Sequence, residues 1–361
     1  MKVLILGDVS PTKETNPLFH KKDIAGLFHD TGKLFNGNDV NFVNLECALT
    51  EKEDCIEKFG PPLKACAKTA ECLQNIGVNV CGLSNNHIFD YGIKGVCDTI
   101  NALNKSGIMY TGFGDNYEDS RKNLVVEKNG EKLCFIAVCE HEYSYALNNR
   151  MGSRPFDEYD TMDDIRDAKK NADKVIVIYH GGKEHCRYPS PRLRKLCRSM
   201  VKNGANIVVC QHSHCIGCYE EFEGGHILYG QGNFHFVNPN GSDEWNECLA
   251  LTYDTESNKI KFTPVVSKES GIEIAKGERA TQILSDFKSR CVKLENGEWE
   301  KLWHEFCESL REPYTRAAHS ISGKFGNDIT NTMFAHYLDC EAHLDVWHEL
   351  FYTANKTNEL K

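Results

Sequence analysis

The chain has 361 residues, of which 40% are hydrophobic, and 42 Lys and Arg residues against 52 Asp and Glu residues give a net charge of −10. This size supports one large or two modest hydrophobic cores, and the acidic balance argues against a general nucleic-acid-binding protein, which would carry a basic surface. No apolar run approaches the ~20 residues that span a bilayer, and the run at residues 3–6 is too short for a signal peptide. We therefore predict a cytoplasmic protein without a transmembrane segment.

The first two thirds of the chain alternate short apolar runs with helical patterns. Strands are predicted at residues 3–6, 40–45, 78–83, 108–111, 124–127, 133–138, 174–179, 205–210 and 226–230, with an antiparallel pair at 249–254 and 259–264. Asn129-Gly130, between two of these strands, is a strong hairpin signal. Helices are predicted at residues 62–76, 92–106, 162–172 and 191–203. This alternation is typical of a layered α/β domain.

The composition changes after about Gly271, and no strand is predicted from Ala280 onward. Apolar residues recur at helical spacing in residues 299–310 and 327–352. We interpret the aromatic stripe of these helices as a packing face rather than a ligand site. The sequence thus predicts an α/β domain over residues 1–270 and a helical C-terminal appendage over residues 271–361.

The 17 cysteines of the chain include several inside predicted buried strands, where a free thiol behaves as a small apolar side chain. With no export signal, this favours a reducing compartment and no disulfide network. Cys215 and Cys218 have the CxxC spacing found in some zinc and redox sites. Because a single CxxC without a second pair is weak evidence, we interpret both cysteines as structural and keep a zinc or redox module as the less favoured alternative.

Polar side chains follow the predicted strands at the points where the strands end. A lone histidine at such a place is usually a hydrogen-bonded structural residue, but two imidazoles in one tight turn rarely arise for packing. The carboxyl ends of strands in an open sheet meet at one edge. There, buried polar groups are costly unless something compensates them. The groups concerned are Asp8, Asn44, Glu46, Asn86, His87, His180, His212, His214 and Asn233.

A pair of divalent metal ions would compensate such a cluster. Carboxylate and imidazole ligands suit Mn²⁺, Fe²⁺ or Zn²⁺ rather than Ca²⁺. A shared carboxylate can hold two ions about 4 Å apart and activate water for phosphoryl transfer or a related displacement. The sequence therefore predicts a divalent-metal cofactor, with two ions as the expected number.

A short basic run that includes Lys183, His185 and Arg187 follows His180. These residues fit the solvated start of a helix, and they equally fit an anion-binding lip for phosphate or carboxylate groups. Both interpretations stay open. The second one predicts an anionic small molecule or polymer as the substrate.

Six motifs occur in order: Gly7-Asp8, Asn44-Leu45-Glu46, Asn85-Asn86-His87 with Asp90-Tyr91-Gly92, His180-Gly181 with Glu184, Gln211-His212-Ser213-His214, and Gly232-Asn233-Phe234. Together they resemble the CapA (poly-γ-glutamate capsule-biosynthesis) family over about residues 1–240, and such ordered agreement is far more specific than one motif. The resemblance implies the calcineurin-like metallophosphatase fold, a four-layer α/β/β/α sandwich.

The resemblance also implies roles for the metal ligands. Asp8 and His214 would bind the first ion, and Asn86, His180 and His212 would bind the second. Glu46 would take the place of the bridging aspartate of typical metallophosphatases, with Asn44 as the alternative.

Catalytic and substrate roles follow from the same resemblance. His87 would be the general acid or the donor to the oxyanion, and Asp90 would orient its imidazole. The predicted substrate-binding residues are Asn44, Lys183, Glu184, His185, Arg187 and Asn233.

Three motifs depart from the patterns that they resemble. Asp8-Val9-Ser10 replaces the Asp-x-His of typical metallophosphatases, so one imidazole is absent, as is usual in the CapA family. His180-Gly181-Gly182-Lys183-Glu184-His185 replaces His-Trp-Gly-x-Glu-Tyr, and Cys210-Gln211-His212-Ser213-His214 replaces Gly-His-His-Pro-His. These changes surround the predicted substrate pocket, so the substrate is an open question.

Two functions compete. The first is a metal-dependent hydrolase acting on a phosphoester, or on an amide or ester of an anionic polymer precursor in capsule or cell-envelope metabolism. The second is a metal-stabilised binding or assembly factor in capsule polymer synthesis without turnover of its own. The presence of His87 and Asp90 favours the enzyme, while the reduced ligand set at the first ion favours the binding factor.

Overall fold

The computed structural model describes residues 1–140, 143–322 and 328–352. The strands in these ranges are β1 (Lys2–Val9), β2 (Val40–Leu45), β3 (Ala48–Leu49), β4 (Lys64–Ala65), β5 (Val80–Gly82), β6 (Met109–Thr111), β7 (Phe113–Gly114), β8 (Leu124–Lys128), β9 (Glu131–Cys139), β10 (Gly152–Ser153), β11 (Lys174–His180), β12 (Ile207–Gln211), β13 (Tyr219–Phe222), β14 (Gly225–Leu228), β15 (Asn233–His235), β16 (Glu247–Asp254), β17 (Lys259–Lys268) and β18 (Gly271–Ile274).

The helices in the same ranges are α1 (Asn16–Lys21), α2 (Ile24–Phe28), α3 (Lys68–Ile76), α4 (Gly92–Lys105), α5 (Tyr117–Ser120), α6 (Glu158–Asn171), α7 (Pro191–Asn203), α8 (Gly277–Glu295), α9 (Trp299–Ser309), α10 (Arg311–Ser322), α11 (Asp328–Asp339) and α12 (Glu341–Phe351). A 3₁₀ helix spans Thr31–Phe35. Within the described residues, no helix is both long and apolar enough to cross a membrane.

Two sheets form the centre of the molecule. The larger has the strand order β18-β17-β16-β1-β2-β5-β6, with β15 pairing to the end of β1, and the smaller has the order β13-β14-β12-β11-β9-β8. The strands β1, β2, β5 and β6 run parallel to one another, as do β9, β11, β12 and β14. Each sheet therefore brings the carboxyl ends of several strands to one edge.

The sheets pack face to face and helices cover their outer faces. Ile5 and Phe42 from the larger sheet share one buried cluster with Phe135 and Ile178 from the smaller sheet, and the rings of Phe42 and Phe135 stack with centroids 5.7 Å apart. The outer face of the larger sheet packs against α1 to α4, and that of the smaller sheet against α6 and α7. The predicted four-layer α/β/β/α sandwich is therefore confirmed.

All the predicted strands are present, but the predicted helix at residues 62–76 begins only at Lys68. The residues before Lys68 have an extended backbone, because β4 pairs in parallel with β3. The helices α1 and α2 were not predicted, since segments of six and five residues are too short to show a helical period. None of the 17 cysteines forms a disulfide bond within the described residues, and most of them are buried, including Cys215 and Cys218.

The C-terminal helices pack against the α/β layers. Ile283 and Phe287 of α8 belong to the cluster between the sheets, and Trp303, Tyr314 and Val346 of the later helices form a separate small core with Cys186. The division at residue 270 stays a prediction, because α8 shares its core with residues on both sides of that boundary.

A buried polar network holds α12 against the smaller sheet. Arg192 donates to the Asp345 carboxylate at 2.9 Å and to Glu140 Oε1 at 2.8 Å. Ser190 donates to Asp345, and the backbone N–H of Ala342, in the first turn of α12, donates to Glu140 Oε2 at 3.2 Å. Since Glu140 follows β9 directly, this network links α12 to the strand ends.

We predict that Asp345→Ala lowers the free energy of unfolding by about 2 kcal/mol, because it leaves Ser190 without its buried acceptor and removes one of the two carboxylates that pair with Arg192. Urea unfolding followed by tryptophan fluorescence measures the change, since Trp299, Trp303 and Trp347 lie in the helical segment. The matched control is Glu312→Ala, which removes the exposed partner of Arg316 and should cost less than about 0.5 kcal/mol. Equal losses in both variants would contradict the role of the network.

His235 adds a pH dependence to the stability. The ring lies between Phe19 and Phe28, with centroids 5.0 and 5.3 Å away, and burial lowers its pKa from 6.5 to about 4. The unfolded chain therefore binds this proton more readily, so the stabilising contribution of neutral His235 is full above pH 6.5 and is lost as the pH falls towards 4.

Between pH 7 and pH 4.5 this difference amounts to about 2 kcal/mol. We predict that His235→Leu loses about that much less stability than the wild type over this interval, as measured by urea unfolding at both pH values. Parallel losses in the two proteins would show that another group dominates the acid sensitivity.

Candidate metal centre

The acidic groups of the site come from the two central strands of the larger sheet. Asp8 and Asn44 face each other in the register of β1 and β2, and the Asn44 amide donates to Asp8 Oδ1 at 2.7 Å. Glu46 follows β2 and is completely buried. The Asn44 amide oxygen, the atom through which an amide binds a metal ion, accepts a hydrogen bond from Asn85 Nδ2 at 3.2 Å. The choice between Glu46 and Asn44 as the bridging ligand stays a prediction.

The imidazoles come from the smaller sheet. His180 ends β11, and His212 and His214 follow β12. Asp8, Glu46 and His180 bring donor atoms within 4.8 Å of one another, and so do Glu46, His212 and His214. Glu46 belongs to both groups, as a bridging ligand would.

This grouping differs from the division between the two ions that the resemblance implies, in which His180 and His212 bind the same ion. The His180 and His212 rings are nevertheless neighbours, with centroids 4.9 Å apart. His214 Nδ1 also lies 3.7 Å from Asp8 Oδ2. The assignment of each imidazole to one ion therefore stays a prediction.

Both carboxylate oxygens of Glu46 are buried and have no hydrogen-bond partner among the described residues. Burial raises the pKa of Glu46 well above its usual value, and the nearby charge of Asp8 raises it further. A buried carboxyl group without partners is unfavourable. The donor set around it, with carboxylate, amide and imidazole groups, fits a divalent transition metal ion.

The protonation states of His180 and His212 suit metal binding. Burial lowers the pKa of His180 to about 4 and places that of His212 well below its usual value, so both rings are neutral and can ligate a metal at neutral pH. Burial also acts to lower the pKa of His214, but the Glu46 and Asp8 carboxylates outweigh it and the net shift is upward.

The turn after β12 has an unusual backbone. His212 and His214 have φ angles of 81° and 53°, in the left-handed region that residues other than glycine rarely adopt. The N–H of His212 donates to Asp8 Oδ2 at 3.2 Å, and Nδ1 of His214 contacts Asn233 Oδ1 at 2.9 Å. The second contact leaves Nε2 of His214 facing Glu46 at 3.9 Å. Such strain at a buried polar turn is typical of functional sites.

Asn86 and His87 follow β5 and approach the histidines from the other side. Asn86 Oδ1 lies 3.0 Å from His180 Nε2. His87 Nδ1 lies 2.7 Å from Asp90 Oδ2, which indicates that the N–H of Nδ1 donates to this carboxylate and that Nε2 is the accepting nitrogen. Burial and the nearby Lys58 lower the pKa of His87 to about 4, so the ring is neutral at pH 7.

Lys58 is a site residue that the sequence analysis missed. Its ammonium group donates to Asp90 Oδ1 at 2.6 Å and lies 3.3 Å from His87 Nδ1, and its side chain is only 3% exposed. Lys58 ends a run of charged residues at 51–58 that has the composition of a solvated loop. No pattern in the sequence distinguishes it from its neighbours.

Three of the predicted substrate-binding residues, Lys183, Glu184 and His185, lie in the loop that follows His180. The charged groups of Lys183 and Glu184 lie 3.7 Å apart. His185 packs beside Trp245, whose ring lies 4.6 Å from that of His214. Trp245 was not predicted, and it forms an aromatic wall of the site.

Asn233 and Arg187 already have partners in the protein. Asn233 orients His214, as described above. Arg187 forms an ion pair with Glu244 and lines a cleft of about 250 Å³ together with Arg279 and Arg290. Within the described part of the chain, no cluster of potential metal ligands includes Cys215 or Cys218.

Comparison with known proteins gives a family match. Residues 2–238 match the family described as bacterial capsule synthesis protein PGA_cap. The capsule biosynthesis protein CapA of Bacillus anthracis is 27% identical over 275 residues, covering 74% of this chain and 66% of the relative. The PGA biosynthesis protein CapA of Bacillus subtilis is 28% identical over 268 residues, covering 72% of this chain and 70% of the relative.

Among solved structures, a 5′-nucleotidase candidate from Staphylococcus aureus is 12% identical with a TM-score of 0.45, covering 80% of this chain and 58% of that one. This score is too low to carry the fold assignment. The assignment rests instead on the four layers and the strand order described above.

We predict that Mn²⁺ at about 100 times its dissociation constant raises the free energy of unfolding by about 2.7 kcal/mol and that Glu46→Gln abolishes most of this gain. The substitution keeps the size of the side chain but removes the charge that both donor groups share. Urea unfolding with and without Mn²⁺ measures the effect. Glu312→Gln, at an exposed side chain of α10 that pairs with Arg316, should keep the gain. A full gain in Glu46→Gln would rule out Glu46 as a ligand.

Proposed function

The chain belongs to the bacterial capsule synthesis protein family PGA_cap, and we propose that it is a metal-dependent hydrolase acting on a phosphoester, or on an amide or ester of an anionic polymer precursor. The names of the two relatives connect them with capsule and PGA biosynthesis. We propose the same context, capsule or other cell-envelope polymer metabolism, for this chain.

The observation that carries the proposal is Glu46, a buried carboxyl group that has no hydrogen-bond partner among the described residues and is shared by two groups of potential metal ligands. The residues that would hold the ions are Asp8, Glu46, Asn86, His180, His212 and His214. When bound, such ions lower the pKa of a water molecule and polarise the bond under attack. The lowered pKa values of His180 and His212 keep their lone pairs available at neutral pH.

We assign the proton transfer to His87, which Asp90 and Lys58 hold in place; these three residues are called the His87 group. Asp90 and Lys58 fix the ring from the Nδ1 side, so Nε2 is the nitrogen available to the substrate. In its neutral form, Nε2 accepts a hydrogen bond; to act as a general acid it must first take up a proton, which an anionic substrate would favour. His87 is the proposed general acid and Asp90 its orienting partner.

The second candidate is a metal-stabilised binding or assembly factor without turnover. Ser10 stands where typical metallophosphatases have an imidazole ligand, so the first ion would have fewer nitrogen donors. Both relatives carry names that refer to biosynthesis rather than hydrolysis. Full metal loading without hydrolysis of any phosphoester or γ-glutamyl amide would favour this candidate.

We propose the cytoplasm as the compartment. The supporting observation is the burial of most of the 17 cysteines, none of which forms a disulfide bond within the described residues. Thiol titration of freshly isolated, denatured protein should count nearly all of them in the reduced state.

We predict that His87→Ala leaves the metal content nearly intact and lowers turnover by roughly 10²–10⁴, the usual effect of losing a general acid. His212→Ala should instead reduce the metal content, because it removes a ligand. Asp90→Asn should fall between them, since it disturbs the tautomer and tilt of His87 without emptying the site. Metal analysis and rates on the best phosphoester substrate, measured on the same preparations, separate the three outcomes.

Full activity in His87→Ala would show that another group supplies the proton. Loss of metal in the same variant would move His87 from the catalytic residues to the ligands.

A further inference from the structure

A cleft of about 370 Å³ lies next to the His87 group. Phe89, two residues after His87, forms part of its wall together with Tyr143 and Tyr145, and Ala335 of α11 closes the opposite side. The cleft adjoins the site, because the Lys58 ammonium group, which lies 3.3 Å from His87 Nδ1, is also 5.6 Å from the centre of the Tyr143 ring. It therefore extends the candidate active site towards the C-terminal helices.

Arg150 is the cationic group of this cleft. Its guanidinium lies 5.2 Å from the centre of the Phe89 ring and 5.3 Å from that of Tyr145. Its Nη2 donates to the backbone carbonyl oxygens of Tyr143 and Tyr145. These contacts hold the guanidinium plane in one orientation, as a preorganised recognition group requires.

The charge of Arg150 is not neutralised within the described residues, where no carboxylate oxygen lies within 4.0 Å of it. Its Nε is buried and has no hydrogen-bond partner among these residues. By contrast, Arg121, Arg154 and Arg192 each pair with carboxylates. A half-buried guanidinium held by aromatic rings and carbonyl oxygens, with an unused donor, fits an anionic ligand.

The charged residues at the rim of the cleft indicate which class of anion it binds. Glu57 and Asp339 line its edge and are both exposed. Their negative charges oppose a dianionic phosphate more strongly than a singly charged carboxylate. The aromatic walls suit the apolar part of a chain that carries such a group.

We propose that this cleft is a binding subsite for a carboxylate of the substrate, held by Arg150 and closed on one side by α11 of the C-terminal segment. The inference deepens the proposed function, because it assigns a carboxylate to the substrate at a distance from the reacting bond. It also gives the helical segment, which lies outside the residues that match the family, a part in substrate selection.

The test is calorimetric binding to the Mn²⁺-loaded full chain, with a γ-linked glutamate trimer and the same trimer with its α-carboxylates amidated. Mass spectrometry after each titration verifies that the peptides stay intact. We expect the wild type to bind the trimer at least about tenfold more tightly than the amidated form, a difference of about 1.4 kcal/mol. Arg150→Gln should reduce this ratio to about one, and Arg316→Gln, at an exposed arginine of α10, should preserve it.

Arg150 also donates to two backbone carbonyl oxygens of its loop, so Arg150→Gln could disturb the fold. A second variant keeps the proposal testable in that case. Ala335→Glu places a carboxylate in the same cleft from the α11 side and leaves Arg150 itself unchanged. It should weaken binding of the trimer and not of the amidated form, while Ala335→Gln should leave both unchanged.

The proposal is overturned if the wild type binds both peptides equally, or if Arg150→Gln and Ala335→Glu both keep the wild-type ratio. The outcome is independent of the proposed hydrolysis. Carboxylate-dependent binding without turnover would retain the subsite and reject the hydrolase, and turnover of phosphoesters without carboxylate discrimination would retain the hydrolase and reject the subsite.

Discussion

The carboxyl group of Glu46 sits between two sheets in a protein interior that offers it no hydrogen bond from the described residues. Transferring a charged carboxylate from water to the protein interior costs a large free energy. The residues around Glu46 therefore have to compensate its charge. Asp8 adds a second acid beside it, which makes the metal-free arrangement still less favourable. A cation between the strand ends would turn these opposing groups into a stable set.

The two sheets contribute differently to that set. The larger sheet supplies the acids and the amide, and the smaller one supplies the imidazoles, so the site exists only when the sheets are packed. Residues such as Phe42 and Phe135, which stack across the interface, therefore determine the distances between ligands that they never touch. The strained turn at His212 and His214 is held by Asp8 and Asn233 of the opposite sheet, which couples the backbone of one sheet to the charge of the other.

The fold and part of the candidate site could be predicted because their residues form local patterns in the sequence. The buried strands and the polar groups that end them are local patterns, so Asp8, Glu46, His180, His212 and His214 could be named and the four-layer fold inferred from their order. Lys58, Trp245, Glu140 and Arg150 lie in segments whose composition is ordinary for loops. Their importance comes from contacts with residues 30 to 200 positions away, such as Glu140 with Ala342, and no local pattern records such a contact. The short helices α1 and α2 were not predicted for a different reason, because six and five residues make fewer than two helical turns.

The departures from the family motifs can be linked to the C-terminal helices through Glu140. Gly181 stands where the related motif has Trp, and even a Cβ atom there would lie 2.7 Å from the side chain of Glu140. The absence of a side chain at Gly181 thus gives Glu140 the space to accept hydrogen bonds from Tyr179, Arg192 and the first turn of α12. The N–H of Glu140 in turn donates to the carbonyl oxygen of His180. A change beside a metal-ligand candidate and the docking of a helix that lies outside the family match are therefore parts of one arrangement. In this arrangement the volume that an aromatic side chain would occupy is used to attach the helical segment to the edge of the site.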